Sequence, residues 1–265
     1  MIAITRPVPD TLTACELTHL ERVPIDVARA RAQHAQYERT LASLGCQLVT
    51  LPAAPDLPDS VFVEDTAVVL DEMAIITRPG AASRRSETDA IASTLGVFRQ
   101  LRFLSAPATL DGGDVLRLGW TIYVGVGGRT NAAGVQQLRD LVSPCGYEVR
   151  VGVVDACLHL KSAVTEVAPG VVVINPKWVD SQMFPNHAII EVDPAEPAAA
   201  NVLRIGDVLV CGAAYPRTNA RLSAVGRICP VDVSELAKAE GAVTCCSLVF
   251  LESGPRTGEW TSNPR

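Results

Sequence analysis

Along the chain, short runs dense in valine, isoleucine and leucine come in pairs, each pair preceded by a polar or small-residue lead-in. The first pair is EDTAVVLDEMAIITRP (Glu64 to Pro79), the second GGDVLRLGWTIYVGVGGRTN (Gly112 to Asn131). The third is LKSAVTEVAPGVVVINP (Leu160 to Pro176) and the fourth AANVLRIGDVLVCGAAYPRTN (Ala199 to Asn219). A fifth run, TCCSLVFLES (Thr244 to Ser253), lacks a second strand of its own, and the N-terminal MIAIT is its candidate partner. β-Branched residues fit the pleated surface of a strand. Asp71, Gly119, Gly170 and Gly206 stand at the turn between the runs of the first four pairs. Lead-ins recur roughly every 40 to 50 residues, a period that signals a repeat architecture. The tripeptide Arg-Thr-Asn also recurs, at 129–131 and 217–219, after the second strand in both cases.

Helical patterns fill the intervals. Val27, Ala30, His34, Tyr37, Leu41 and Leu44 share one face at helical spacing, with Gly45 as the stop. Asn131 is a candidate N-cap ahead of Val135, Leu138, Leu141 and Val142. Asp232 or Ser234 opens a short helix ending at Gly241. Strand pair, helix and strand thus repeat about five times, in units too small to bury an apolar face alone. The expectation is an α/β fold, a five-bladed α/β propeller closed into a ring. A doubly wound sheet also alternates helix and strand but needs no paired strands in every unit. No linker rich in Pro, Gly or Ser interrupts the chain. One domain over residues 1–252 is expected, with 253–265 as a flexible C-terminal tail.

Composition narrows the function. Of 265 residues, 48% are hydrophobic and 20% charged, as in ordinary globular proteins. The net charge is −6, and the 23 Lys and Arg residues form no cluster longer than Arg84-Arg85, which argues against nucleic acid as a partner. No apolar run approaches the ~20 residues that span a bilayer, so no membrane partner is expected. The start, MIAITRPVPD, lacks a basic segment followed by an apolar core, and a cytoplasmic location is expected. The eight cysteines are then read as reduced thiols. With no C-x-x-C pair and four histidines, no metal site is expected.

Candidate chemistry stands at the same point of several repeats. Asp59 to Asp65 leads into the first pair, Leu110 to Asp114 into the second, Leu158 to Ser162 into the third and Thr244-Cys245-Cys246 into the fifth. In a ring these positions converge on the axis, bringing carboxylates, His159 and a thiol together. A cysteine beside a histidine is a nucleophile with a proton store, and a carboxylate fixes the imidazole. Further carboxylates suit a guanidinium, whose planar fork offers them parallel N–H donors. Taken singly, Asp65 and Asp114 also fit turn caps, His159 a core histidine, and both cysteines core residues. Their common register is what joins them.

The segments PDSVFVEDTAV, ITRPGAASRR, TLDGGDVL, GRTN, LHLKS and TCCSL resemble the dimethylarginine dimethylaminohydrolases, a branch of the guanidino-group-modifying (pentein) superfamily. The resemblance runs from about Ala3 to Phe250 and implies the same five-bladed fold. It implies Cys245 as nucleophile, His159 as general acid/base and Asp111 as the acid that positions His159. It also implies Asp65, with Glu64 beside it, as the grip on the guanidinium, and Arg84 and Arg129 as holders of the substrate carboxylate. Asp59 and the backbone of Leu17, in a lid loop, match contacts to the substrate α-amino group. The implied reaction converts Nω-methylated arginine to citrulline and a methylated amine through a covalent Cys intermediate, with no cofactor. A deiminase releasing ammonia is the nearest rival; deiminases usually carry Asp two residues after the histidine, where Lys161 stands here. A non-catalytic binder of cationic amino acids is the alternative of another class. The partner is in each case a small molecule, and a homodimer stays open.

Overall fold

A computed structural model describes residues 1–154 and 156–252; the expected tail at 253–265 lies outside the described residues. Strand β1 (Ile2–Thr5) is followed by helix α1 (Val27–Ser43) and strand β2 (Gln47–Thr50). The next unit comprises β3 (Ala67–Val69), β4 (Met73–Ile76), α2 (Thr88–Leu95) and β5 (Gln100–Phe103). After it come β6 (Val115–Leu118), β7 (Thr121–Val126), α3 (Ala132–Val142) and β8 (Glu148–Val153). The short helix α4 (Leu160–Ala163) leads into β9 (Val164–Ala168), β10 (Val171–Ile174) and β11 (Ala188–Glu191). The fourth full unit is β12 (Val202–Ile205), β13 (Val208–Gly212), α5 (Pro216–Leu222) and β14 (Arg227–Val231), after which α6 (Ser234–Ala237) precedes β15 (Leu248–Phe250).

The strands form five three-stranded sheets of one design. The first strand of each pairs antiparallel with the middle one, and the middle pairs parallel with the third. A parallel partner cannot be reached by a tight turn, so each unit needs a crossover. Helices α2, α3, α5 and α1 supply four of them, while the third unit crosses with only a 3-10 turn, Ser181–Met183. The fifth sheet is closed by both ends of the described chain: β15 pairs with β1 (Ile2 opposite Phe250, Ile4 opposite Leu248), and β1 with β2. The N-terminal strand is thus the missing partner of the last run.

The core lies between sheets. Val68 and Ile75 of the first sheet pack with Val115, Ile122 and Leu138 of the next unit. Leu116 and Tyr123 join Val164 and Val172, and Val167 and Val173 join Val202 and Leu209. Ile205 and Val210 meet Ala3, Tyr37 and Leu41, and Ile2 and Ile4 meet Ala74 and Ile91, which closes the ring. Middle strands are therefore covered on both faces. That is why β4 and β13 are buried throughout and read as unbroken apolar runs, while the outer β2 and β5 are partly exposed. First strands from all five sheets line an axial cavity of about 280 Å³, through Val68, Leu116, Thr165, Val202 and Leu248.

Local signals held at three places and slipped at two. Gly45, at φ +86, ends α1; the Asn131 side chain accepts from Gly134 N at 2.8 Å; Asp232 accepts from Ser234 N at 2.9 Å. Helix α6, however, stops at Ala237, well before Gly241. The two Arg-Thr-Asn tripeptides are also out of register: Asn131 caps α3, whereas Asn219 lies inside α5 and donates to Gly212 O. Among the described residues no helix is long and apolar enough to cross a membrane.

Candidate active site

Each chemistry-bearing lead-in ends at a first strand: Val63–Thr66 before β3, Gly112–Asp114 before β6, His159 ahead of α4 and β9, and Thr244–Ser247 before β15. The glycine pair lets them touch. A Cβ on Gly112 would come within 2.0 Å of Glu64 O, and one on Gly113 within 2.7 Å of both Asp65 Oδ1 and His159 Nδ1. Only a residue without a side chain fits at these two positions.

One narrow cavity results, lined by Asp59, Phe62, Asp65, Arg84, Arg129, His159 and Cys245, together with Glu16, Leu158, Ala239, Glu240 and Gly241. Its free space, about 10 Å³, holds roughly one water. That volume is smaller than an amino acid, and the segment Glu16 to Leu20 borders the cavity through Glu16. That segment is tethered: Glu16 N donates to Asp59, Arg129 Nη2 to Thr18 Oγ1, and the backbone N–H groups of Thr18, His19 and Leu20 to the Glu240 carboxylate.

His159 sits between carboxylates, with Nε2 3.0 Å from Asp111 Oδ2 and Nδ1 3.6 Å from Asp65 Oδ1. Asp111 is fixed in turn by Gly80 N, which donates to its other oxygen at 2.8 Å. Burial disfavours the imidazolium, but Asp65, the hydrogen bond to Asp111 and the charge of Asp114 outweigh it and raise His159 to about 9. Burial likewise opposes the Asp65 carboxylate, yet His159 and Arg84 hold it down at about 2. At neutral pH this is an ion pair with a protonated histidine. Asp114, which accepts from Thr130 Oγ1 and Leu160 N, is pushed up to about 6 by burial, against the pull of His159.

Cys245 lies on the buried turn 244–247, and burial, then Glu64, then Asp65 push its thiol well above the usual range. The thiol is therefore neutral at rest. Cys246 is wholly buried in the apolar core, its Sγ toward Ala242 O, and does not line the cavity. The two part company because they stand on a turn before β15, not by the alternation of a strand. Neither is in a disulfide.

The arginines differ. Arg84 is 3% exposed, and its donors are engaged by Asp65 (2.6 Å), Glu87 (2.8 Å), Phe62 O (3.0 Å) and Asp59 O (3.3 Å). Its first task is to neutralise Asp65 and Glu87, a pairing the resemblance did not suggest. Arg129 keeps a buried Nη1 without a hydrogen-bond partner, 3.9 Å from Asp111 Oδ2. A buried guanidinium N–H left open in a cavity wall is suited to an incoming carboxylate. Leu17 packs on the core cluster beside the cavity, with Glu16 and Thr18 making the polar contacts around it.

Glu64 does not line this cavity, although its charge acts on the Cys245 thiol. Its carboxylate accepts from Lys161 Nζ at 2.6 Å and Thr244 Oγ1 at 2.7 Å, and Glu64, Lys161 and Thr244 line the axial cavity instead. Consecutive residues of a 3-10 turn point in different directions, so only Asp65 of the pair faces His159. The sequence reading also left Glu87 and Glu240 unassigned. Glu87 stands three residues after Arg84, a helical-neighbour spacing that could have flagged it; Glu240 carries no local signal.

Ligand atoms of Asp65, Asp111 and His159 lie within 4.8 Å of one another. A metal needs the neutral imidazole, whereas here the imidazole is held protonated and Asp65 is already paired with Arg84, so the set suits a metal poorly. Arg84→Met would leave Asp65 and Glu87 buried without their counter-charge. The expected loss is about 3–5 kcal/mol of unfolding free energy, read by chemical denaturation, since removing one partner strands a buried ion.

Comparison with known proteins agrees with this geometry. A family model described as N,N dimethylarginine dimethylhydrolase, eukaryotic, matches residues 20–251. The N(G),N(G)-dimethylarginine dimethylaminohydrolase of Streptomyces coelicolor is 42% identical over 252 residues, covering 94% of this chain and 96% of that protein. The enzyme of the same name from Pseudomonas aeruginosa is 36% identical, covering 85% and 90%. A solved structure of the Pseudomonas aeruginosa protein, a Cys-to-Ser mutant complexed with citrulline, superposes with a TM-score of 0.90 at 33% identity, over 94% of this chain and 98% of that one. The N-terminal domain of a cyanobacterial arginine dihydrolase shares the fold, with a TM-score of 0.81 at 18% identity, over 93% and 96%. Matched along nearly its whole length, with the thiol, histidine and carboxylates in one cavity, the chain belongs to the dimethylarginine dimethylaminohydrolase family.

Proposed function

We propose that the protein hydrolyses Nω-methylated L-arginine, in its asymmetric dimethyl or monomethyl form, to L-citrulline and dimethylamine or methylamine. The observation that carries this reading is the single cavity in which the Cys245 thiol, a protonated His159 and the Asp65 carboxylate meet the open N–H of Arg129. The names of the relatives, and the citrulline in a similar structure, support the same substrate class.

The chemistry follows from the charges. A cationic guanidinium entering beside Asp65 offsets the acids that keep the thiol neutral, and only then does Cys245 release its proton to solvent, since His159 is already protonated. The thiolate adds to the guanidinium carbon. An amine leaves badly unless protonated, and His159 carries the proton; its Nε2 is held by Asp111, so Nδ1 is the nitrogen free to deliver it. The C–N bond breaks, the amine departs and an S-linked thiouronium remains. Water then adds to that carbon while the neutral His159 takes its proton, the C–S bond breaks, and citrulline and the thiol are released. Arg129 meets the substrate carboxylate and Asp59 its ammonium, displacing the tethers to Thr18 and Glu16.

A cytoplasmic location belongs to the same proposal, because the reaction needs Cys245 reduced.

A panel of arginine, its methylated forms and agmatine, with citrulline, amine and ammonia all measured, tests the function. Citrulline and methylated amine are expected from the mono- and asymmetric dimethyl forms, with turnover lost in Cys245→Ser and retained in Cys246→Ser. Ammonia from arginine as the main product would favour the deiminase instead. A second expectation concerns pH. With His159 at about 9 in the free folded protein, kcat/KM should fall as pH rises through about 9 and the general acid is lost. The same shift acts on stability, because the unfolded imidazole titrates near ~6.5. The contribution is complete below that value and is lost as pH rises to about 9, so melting temperature should decline across this window.

A further inference from the structure

The fourth unit sends no side chain into the catalytic cavity. Yet its lead-in ends in Asn201, directly before β12, at the place Thr66 holds before β3, Asp114 before β6 and Ser247 before β15. Asn201 is 4% exposed and every hydrogen bond it makes crosses to another unit. Its Oδ1 accepts from Thr244 N at 3.0 Å; its Nδ2 donates to Thr244 Oγ1 and to Lys161 O, both at 2.9 Å. A backbone N–H can only donate and a carbonyl can only accept, so the amide fits in this orientation and no other.

That orientation sets the direction of the chain of bonds. Thr244 Oγ1 receives from Asn201 and gives its own hydrogen to Glu64 Oε2 at 2.7 Å, and Glu64 Oε1 is neutralised by Lys161 at 2.6 Å. Glu64 N closes the loop by donating to Cys245 O at 3.1 Å. The participants stand beside the reactive groups: Thr244 next to Cys245, Glu64 next to Asp65, and Lys161 two residues after His159.

We propose that Asn201 is a positioning residue for the nucleophile: with Thr244 it clamps the turn carrying Cys245 to the lead-ins that carry Asp65 and His159. The fourth unit thus acts on the reaction through the backbone of the fifth. The clamp rests on Cys245 being the nucleophile, and its test reads that thiol directly.

Asn201→Ala, Asn201→Asp, Thr244→Val and Thr244→Ser are compared by kinact and KI for an active-site-directed haloacetamidine, normalised to folded protein by circular dichroism. Displacing a reacting atom by about 1 Å can cost about 100-fold, so kinact should fall about 10- to 100-fold in Asn201→Ala, Asn201→Asp and Thr244→Val, with KI changed less than about 3-fold. Thr244→Ser keeps the hydroxyl and should keep the wild-type kinact. Because the two residues act as one device, Asn201→Ala/Thr244→Val should be no slower than the slower single variant. Wild-type kinact in folded Asn201→Ala, or losses that multiply in the double variant, would overturn the proposal. Should Asn201→Ala not fold, the contrast between Thr244→Val and Thr244→Ser decides it: equal kinact sinks the clamp and a hydroxyl-dependent kinact supports it. If the wild-type protein is alkylated at Cys245 but does not hydrolyse methylarginine, the substrate assignment fails, and a loss of kinact in the variants still supports the clamp.

Discussion

A carboxylate at 2% exposure, Asp65, is held between the guanidinium of Arg84 at 2.6 Å and the imidazole of His159 at 3.6 Å. Removing a carboxylate from water costs several kcal/mol unless it is paired and hydrogen-bonded. Much of the site answers that constraint. Gly113 lacks a side chain so that its N–H reaches Asp65, Glu87 fixes Arg84 from the other side, and Asp111 fixes the far nitrogen of His159. Ionic contacts thereby join the lead-ins of the first three units, and the propeller ring exists to bring those segments to one point.

The same arrangement leaves the fifth unit unbalanced. At Cys245 burial and the charges of Glu64 and Asp65 outweigh the charge of Lys161, and the thiol stays protonated. This inverts the usual device of a thiolate preformed by a neighbouring imidazolium. The histidine is charged, but its charge is claimed by Asp65 and Asp111. A ligand that carries its own positive charge is the missing element, which ties substrate class to activation of the nucleophile.

Much of this was legible in the sequence, for identifiable reasons. The paired runs read clearly because the middle strands are buried on both faces, and MIAIT could be assigned to the last sheet because that sheet alone lacked a strand. Asp65, Asp111, His159 and Cys245 could be grouped because they share a register. Directions within a turn could not be read: Glu64 and Asp65 are neighbours that line different cavities, one paired with Lys161 and Thr244, the other with Arg84 and His159. Arg84 lines the cavity as the resemblance implies, and its spacing of three residues to Glu87 is the local signal of its second partner. Asn201 and Glu240 make bonds to residues 43 and about 220 positions away, a separation at which local pattern carries no information.

Thiolate absorbance of Cys245, titrated against pH as the difference between wild type and Cys245→Ser, tests the central claim most directly. It is measured in the free protein and again with a saturating, unreactive guanidinium amino acid. The account predicts a neutral thiol throughout the neutral range in the free protein, and a clear downward shift of its titration when the cation is bound. A Cys245 thiolate already formed at neutral pH in the free protein, or a titration unmoved by the ligand, would contradict it.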